Sequence, residues 1–166
     1  FKTEAAALYV VGPFAESQDR TCVSGQTCAF ESIDGQSLAA GDRMMVLDTC
    51  GVASLSSGVG VAGSVFNMAS SSGASVSWGS EAVTAAGGEY RLCWCAGGFS
   101  CWSSASYLAE VGTIHVDGPT TYRDHRQVTM TQTRTCISGQ TCAFDGIYGF
   151  YPSLDDVVLV MDTCGT

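Results

Sequence analysis

The chain repeats itself. Arg20-Thr21-Cys22-Val23-Ser24-Gly25-Gln26-Thr27-Cys28-Ala29-Phe30 returns as Arg134-Thr135-Cys136-Ile137-Ser138-Gly139-Gln140-Thr141-Cys142-Ala143-Phe144. The register then holds, because Leu47-Asp48-Thr49-Cys50-Gly51 returns as Met161-Asp162-Thr163-Cys164-Gly165. The offset is 114 positions throughout, from Cys22 and Cys136 to Cys50 and Cys164. That period is well beyond the roughly 20–50 residues of a solenoid unit and fits a whole domain. Consecutive copies of a cysteine-bearing domain point to a tandem array, whose usual role is to build length.

Gly12-Pro13 and Gly118-Pro119 punctuate the chain. Each follows a short apolar run, Ala7-Leu8-Tyr9-Val10-Val11 in one case and Thr113-Ile114-His115-Val116-Asp117 in the other, and Glu4 and Glu110 fall at equivalent places. Residues 1–12 are therefore expected to be the last strand of a preceding module. Residues 13–118 are expected to be one complete module, and 119–166 the first half of another, completed by a neighbour or by further sequence. The Gly-Pro offset is 106 positions against 114 for the cysteines. The second copy thus carries eight extra residues before its first cysteine, around Arg123-Asp124-His125-Arg126.

The hydrophobic pattern is that of strands. Arg43-Met44-Met45-Val46-Leu47 and Val157-Val158-Leu159-Val160-Met161 are short apolar runs bounded by aspartates, as buried strands are. Gln127–Thr133 alternates and is rich in β-branched residues, and Val76–Trp78 and Glu81–Thr84 are weaker candidates. Ala82–Ala86 has helical composition but runs into Gly87-Gly88. Short strands separated by turns predict an all-β protein of antiparallel sandwich modules in tandem.

The clearest strand is Gly88-Glu89-Tyr90-Arg91-Leu92-Cys93-Trp94-Cys95. Alternation puts Tyr90, Leu92 and Trp94 on one face and Arg91, Cys93 and Cys95 on the other. This Gly-x-Tyr strand resembles the penultimate strand of immunoglobulin-like sandwiches, whose tyrosine ties down the preceding corner. Leu92 stands where an antibody domain has its cysteine, so the core is expected to hold Tyr90, Leu92 and Trp94 together with Phe30 and its repeat Phe144. The cysteines are then expected on the opposite face or at the strand ends.

Nine cysteines in 166 residues point to an oxidising compartment. A complete module holds Cys22, Cys28, Cys50, Cys93, Cys95 and Cys101, and six cysteines allow fifteen pairings. Cys22 and Cys28 flank a Ser-Gly-Gln turn, and Cys95 and Cys101 flank Gly97-Gly98, so each is expected to pair across its turn. Cys50 and Cys93 remain, to join two strands across a long loop. Cys136 and Cys142 repeat the first pair. Cys164 repeats Cys50, and its mate is expected in a missing second half or a neighbouring subunit. Zinc is disfavoured, since no Cys-x-x-Cys knuckle is present.

The remaining chemistry is sparse. The two histidines are His115, on a strand where the earlier copy has Tyr9, and His125, in the charged insertion. No G-x-S-x-G elbow, P-loop or H-E-x-x-H motif occurs, and no enzyme is expected. Asp42 and Asp156 recur at strand starts, and Asp48 and Asp162 before Cys-Gly. Calcium is the cofactor such acids suggest, but D-x-D-x-D spacing is absent and turn capping explains them at least as well. A net charge of −9 with a single lysine, Lys2, argues against nucleic acid and acidic membranes as partners. No 18-residue apolar run offers a membrane span. The start, Phe1-Lys2-Thr3, does not read as a signal peptide, so a mature or proteolysed product, or a window on a longer chain, is expected. Asn67 precedes Met68-Ala69, which is no N-glycosylation sequon. The serines of 54–57, 70–72 and 103–104 and the threonines between 120 and 135 offer hydroxyls for O-linked sugar.

The run Gly88-x-Tyr90-Arg91-Leu92-Cys93-Trp94-Cys95, its short cysteine loop, and Val111-Gly112-x-Ile114-x-Val116-x-Gly118-Pro119 resemble tandem cysteine-rich repeats of large secreted or surface proteins of algae and other protists. The resemblance covers about one module, rests mainly on the Y-R-L-C-W-C strand, and implies a fibril or flagellar-hair array with no catalytic residues to carry over. The expectation is an extracellular or cell-surface structural repeat whose partners are copies of itself and O-linked glycans. The alternative is an adhesion or carbohydrate-binding module with Trp78, Trp102 or Tyr151 as its platform. Thiol labelling of the unreduced, denatured protein is expected to find few free cysteines; many per chain would overturn this framework.

Overall fold

The computed structural model of the chain describes residues 6–14, 17–52, 66–67, 74–120 and 132–162. Among these the fold is nearly all β. Ten strands run in order: β1 Gly12–Pro13, β2 Arg20–Val23, β3 Thr27–Ile33, β4 Gly35–Gln36, β5 Arg43–Leu47, β6 Phe66–Asn67, β7 Ala74–Ala82, β8 Gly88–Cys95, β9 Ala109–Pro119 and β10 Gly149–Phe150. One 3-10 turn, Ser104–Ser106, interrupts the segment between β8 and β9.

The main sheet has the order β10-β9-β8-β5-β6, with β2 added to β9. β8 lies at its centre. It pairs antiparallel with β5, from Arg43↔Cys95 to Leu47↔Arg91, and antiparallel with β9 on its other side. β2 runs parallel to β9, with Arg20 opposite Ile114 and Val23 opposite Asp117. β3 and β7 form a separate antiparallel ribbon with two register shifts. β1 and β4 make a two-residue antiparallel bridge. The runs 76–78 and 81–84 thus belong largely to one continuous strand, and the alanine-rich stretch 82–86 is not helical.

Both faces of the main sheet are covered, which explains why β5 is apolar at consecutive positions. Met44, Val46, Leu92, Ile114 and Val116 point to a core completed by Cys28 and Ile33 of β3 and Val76 and Trp78 of β7. Met45, Leu47, Cys93 and Cys95 point the other way, onto Cys101 and Tyr107. Burial of a side chain such as Leu92 or Ile114, each 0% exposed, contributes about 1.5–3 kcal/mol. Tyr90, Trp94 and Phe30 are half-buried at the margin of the first core.

The second copy differs. Residues 157–161, expected as a strand, form none, and Val158, Leu159 and Val160 are exposed at 61%, 74% and 94%. Their counterparts Met44, Met45 and Val46 are buried because β8 pairs with them and sheet faces close over them. Among the described residues no second β8 stands beside 157–161. Phe144, expected in a core, is 44% exposed for the same reason: its counterpart Phe30 packs on Trp78 of β7 at a ring separation of 5.4 Å, and no such strand lies beside Phe144 among the described residues. The expected strand 127–133 lies outside the described residues up to 131, and 132–133 are not in a strand. Residues 7–11, also expected as a strand, are exposed and reach a ladder only at Gly12.

The repeat makes this contrast measurable. Met45→Ala is expected to destabilise the fold by about 2–5 kcal/mol. Leu159→Ala, at the equivalent position, should stay within about 0.5 kcal/mol. Chemical denaturation of the two variants would check this; equal losses would refute the difference in burial.

Candidate functional site

Four disulfides join Cys22 to Cys28, Cys50 to Cys93, Cys95 to Cys101 and Cys136 to Cys142, with Cα separations of 5.5–6.0 Å. Two close over six-residue separations at the β2–β3 turn and its repeat. In both, a glycine with positive φ, Gly25 at 84° and Gly139 at 80°, lets the chain double back. The other two share one face. Cys93 and Cys95 alternate onto the side of β8 away from the main core, where Cys50 and Cys101 meet them. Cys95–Cys101 closes the loop that follows β8, and Cys50–Cys93 ties the chain after β5 to β8. Tyr107, fully buried there, donates its hydroxyl to the Cys101 carbonyl at 3.2 Å, and burial raises its phenol above the ordinary value of 10.0. Cys164 lies outside the described residues.

Thiols consumed in this way are not available to a metal, and among the described residues no three His, Cys, Asp or Glu side chains cluster as ligands. Asp42 is occupied as a turn acceptor, taking the Ala39 N–H at 3.0 Å and the Gly97 N–H at 2.7 Å. Asp156 likewise accepts the Ser153 N–H at 2.9 Å. Asp19 is held below the ordinary carboxylate range by the Ser17 hydroxyl and then by the Thr113 N–H, a contact that ties the approach to β2 onto β9.

Repeated side-chain brackets organise each copy. The Gln18 amide donates to the Phe14 and Asp34 carbonyls while its oxygen accepts the Asp34 N–H. Gln132 does the same with Thr120 and Tyr148. Arg20 donates to the carbonyls of Glu31 and Ser32, at a bulge of β3 where Ser32 has a φ of 62°. Arg134 donates to Asp145 and Gly146, where Gly146 has a φ of 65°. Pairs offset by 114 at Gln18, Arg20 and Asp34, but by 106 at Phe14, place the eight-residue insertion between Thr120 and Gln132.

The two Gly-Pro dipeptides sit in matching bridges. Gly12 pairs with Gln36 and Pro13 with Gly35; Gly118 pairs with Phe150 and Pro119 with Gly149. Gly12 and Gly118 have φ of 140° and 144°, values that disfavour a side chain. Phe14 N–H donates to Asp34, and Thr120 N–H to Tyr148. At the second bridge Gly87 N–H also donates to the Pro119 carbonyl at 2.8 Å, and a Cβ on Gly87 would clash with the Gly118 carbonyl oxygen. The His115 ring stacks on Phe150, with centroids 6.1 Å apart and planes within 5°. Comparison with known proteins finds no match among family models, curated proteins or solved structures.

The three aromatic residues considered as a sugar platform separate. Trp78 is buried in the core. Trp102 is 83% exposed, but the Arg43 guanidinium lies over its ring, 5.5 Å from the centroid. Tyr151 is exposed and packs edge-on against Phe150. A shallow, mostly apolar cleft of about 350 Å³ is lined by Trp94, Phe99, Ser100, Ser106, Leu108 and Ala109. Sequence reasoning missed this cleft, whose signal would have been the apolar residues Phe99 and Leu108 beside a cysteine loop.

The two disulfides that share one face of β8 are separable. Cys50→Ser with Cys93→Ser is expected to cost about 4 kcal/mol, from a 43-residue separation, and Cys95→Ser with Cys101→Ser about 2 kcal/mol. Equilibrium unfolding of the two double variants gives the comparison. A larger loss from the short loop would mean that packing around Cys101 and Tyr107 dominates chain entropy.

Proposed function

We propose that the chain is a structural repeat of an extracellular filament or cell-surface array, built from immunoglobulin-like β-sandwich modules and performing no catalysis. Four disulfides in a small chain point to an oxidising, extracellular or secreted setting. The sandwich reading is supported by the β3–β7 ribbon facing the main sheet across one core, by the parallel β2–β9 pairing at the sheet's edge, and by Tyr90. Its hydroxyl donates to the Ala86 carbonyl at 2.8 Å, the local tie of a tyrosine corner.

The observation that carries the functional reading is the recurrence of one bridge at both Gly-Pro dipeptides. A conserved way of passing from one copy to the next is what an array needs and what a solitary binding domain does not. Assembly then proceeds either within one long polypeptide or by strand addition between subunits, the exposed runs 8–11 and 157–161 being the surfaces a neighbour would cover. O-linked sugar on the Ser- and Thr-rich surface fits the same setting.

The second reading, an adhesion or carbohydrate-binding module, is favoured by exposed Trp102 and by Phe99 and Leu108 at the rim of the apolar cleft, exposed at 78% and 75%. Electron microscopy of the native material is expected to show regular filaments of a fixed axial repeat. Dispersed particles that bind immobilised glycans, with binding lost in Trp102→Ala, would instead select the second reading.

A further inference from the structure

We infer that the two Gly-Pro bridges are one module–module interface used twice, so that successive modules are set in one fixed orientation, and that the Gly35–Gln36 face of the first module is the docking surface for the end of another module of this same kind. The inference rests on the filament reading only for its premise that modules follow one another.

The second bridge defines what such an end presents. Gly118 lies against Ser24, where a Cβ would fall 2.8 Å from the serine Cβ. Ser24 is itself pinned, its N–H to Asp117 and its hydroxyl to the Ala85 carbonyl. Gly87 closes on the Gly118 and Pro119 carbonyls from the same side, and a Cβ there would also meet that of Phe150 at 3.0 Å. The bridge is therefore not a free hinge. The outgoing strand β9 is clamped by two loops of its own module while it pairs with β10 of the next copy.

At the first bridge the receiving half is already formed. Gly35 occupies the place of Gly149, with a Cβ position only 2.6 Å from the Gly12 carbonyl oxygen, as that of Gly149 is 2.9 Å from the Gly118 oxygen. The Gln18 bracket and the Phe14 N–H bond match those of Gln132 and Thr120. The incoming strand also carries the residues of a last strand. Leu8 and Val10, 89% and 73% exposed, correspond to Ile114 and Val116, both 0% exposed. A module bringing its own counterparts of Ser24, Gly87 and β8 would bury Leu8 and Val10 and set a glycine N–H on the Pro13 carbonyl. Tyr9 would then face Gln36 where His115 faces Phe150, so the stacking pair varies while the backbone bridge stays. The outgoing and receiving halves are different surfaces of the module, so the interface is heterologous, and repetition of one rotation that does not close a ring generates a straight or helical rod.

The test lengthens the full chain by inserting one, two or three further copies of residues 13–118 after Gly118, so that each seam again reads Gly-Pro. Small-angle X-ray scattering is expected to show the maximum dimension growing by one constant step per copy. Growth approaching the square root of copy number, as for beads on flexible linkers, would overturn the inference. In the unextended chain, Gly149→Val is expected to abolish hydrogen-exchange protection at the Gly87 and Thr120 amides while Leu92 and Cys93 stay protected; unchanged protection at Gly87 would also overturn it. A constant step combined with native material that forms no filaments would defeat the filament reading and leave the interface standing.

Discussion

The first copy depends on the placement of β8 between β5 and β9. Its eight residues supply backbone partners to strands on both sides, and its alternation feeds two separate cores. Leu92 and its half-buried neighbours Tyr90 and Trp94 complete the core under the β3–β7 ribbon. Cys93 and Cys95 anchor the opposite face. The contrast with residues 157–161 shows how much hangs on this one strand: nearly the same apolar pattern that is buried as β5 is exposed where no β8 counterpart lies beside it among the described residues. A strand of this kind is only as stable as its neighbours, because its hydrogen bonds and its burial both come from outside itself.

Other parts of the second copy need no such neighbour. The Cys136–Cys142 turn, the Gln132 and Arg134 brackets and the Asp156 cap all join residues no more than sixteen positions apart, and each reproduces its counterpart in the first copy. These local devices shape the loops through contacts close in sequence and need no distant strand. They also fix the bridge through which one copy passes into the next, since Gln132 draws the Thr120 and Tyr148 carbonyls together on one amide. The glycines complete that bridge by letting two backbones approach more closely than any side chain would allow.

Much of this was legible in the residues. The apolar run of β5, the alternation of β8 and the Gly-Pro punctuation each mark a feature the structure contains, because each is a local pattern with one stable solution. The misplaced expectations share a cause. Phe144 and 157–161 carry core-like sequence, but burial is a property of partners and not of composition. Trp78 and Trp102 could not be told apart as platform or core from their own neighbours in sequence; Trp78 faces the core from β7, and Trp102 lies beyond the Cys95–Cys101 loop, outside the sheet. The parallel addition of β2 to β9 was not foreseen either, since nothing in an alternating pattern reveals which edge a strand will join.

The sequence by itself determined the period of the repeat, the β character, the turns at the cysteines and the position of the eight-residue insertion, all of which follow from short-range chemistry and simple registration of one copy on the other. Only the tertiary structure decided which apolar runs are buried, that Asp42 serves as an acceptor for Gly97 across fifty-five positions, and that Gly87 and Ser24 clamp the outgoing strand. Those facts depend on segments far apart in the chain being brought within hydrogen-bond or van der Waals distance, and packing sets that distance while local preference does not.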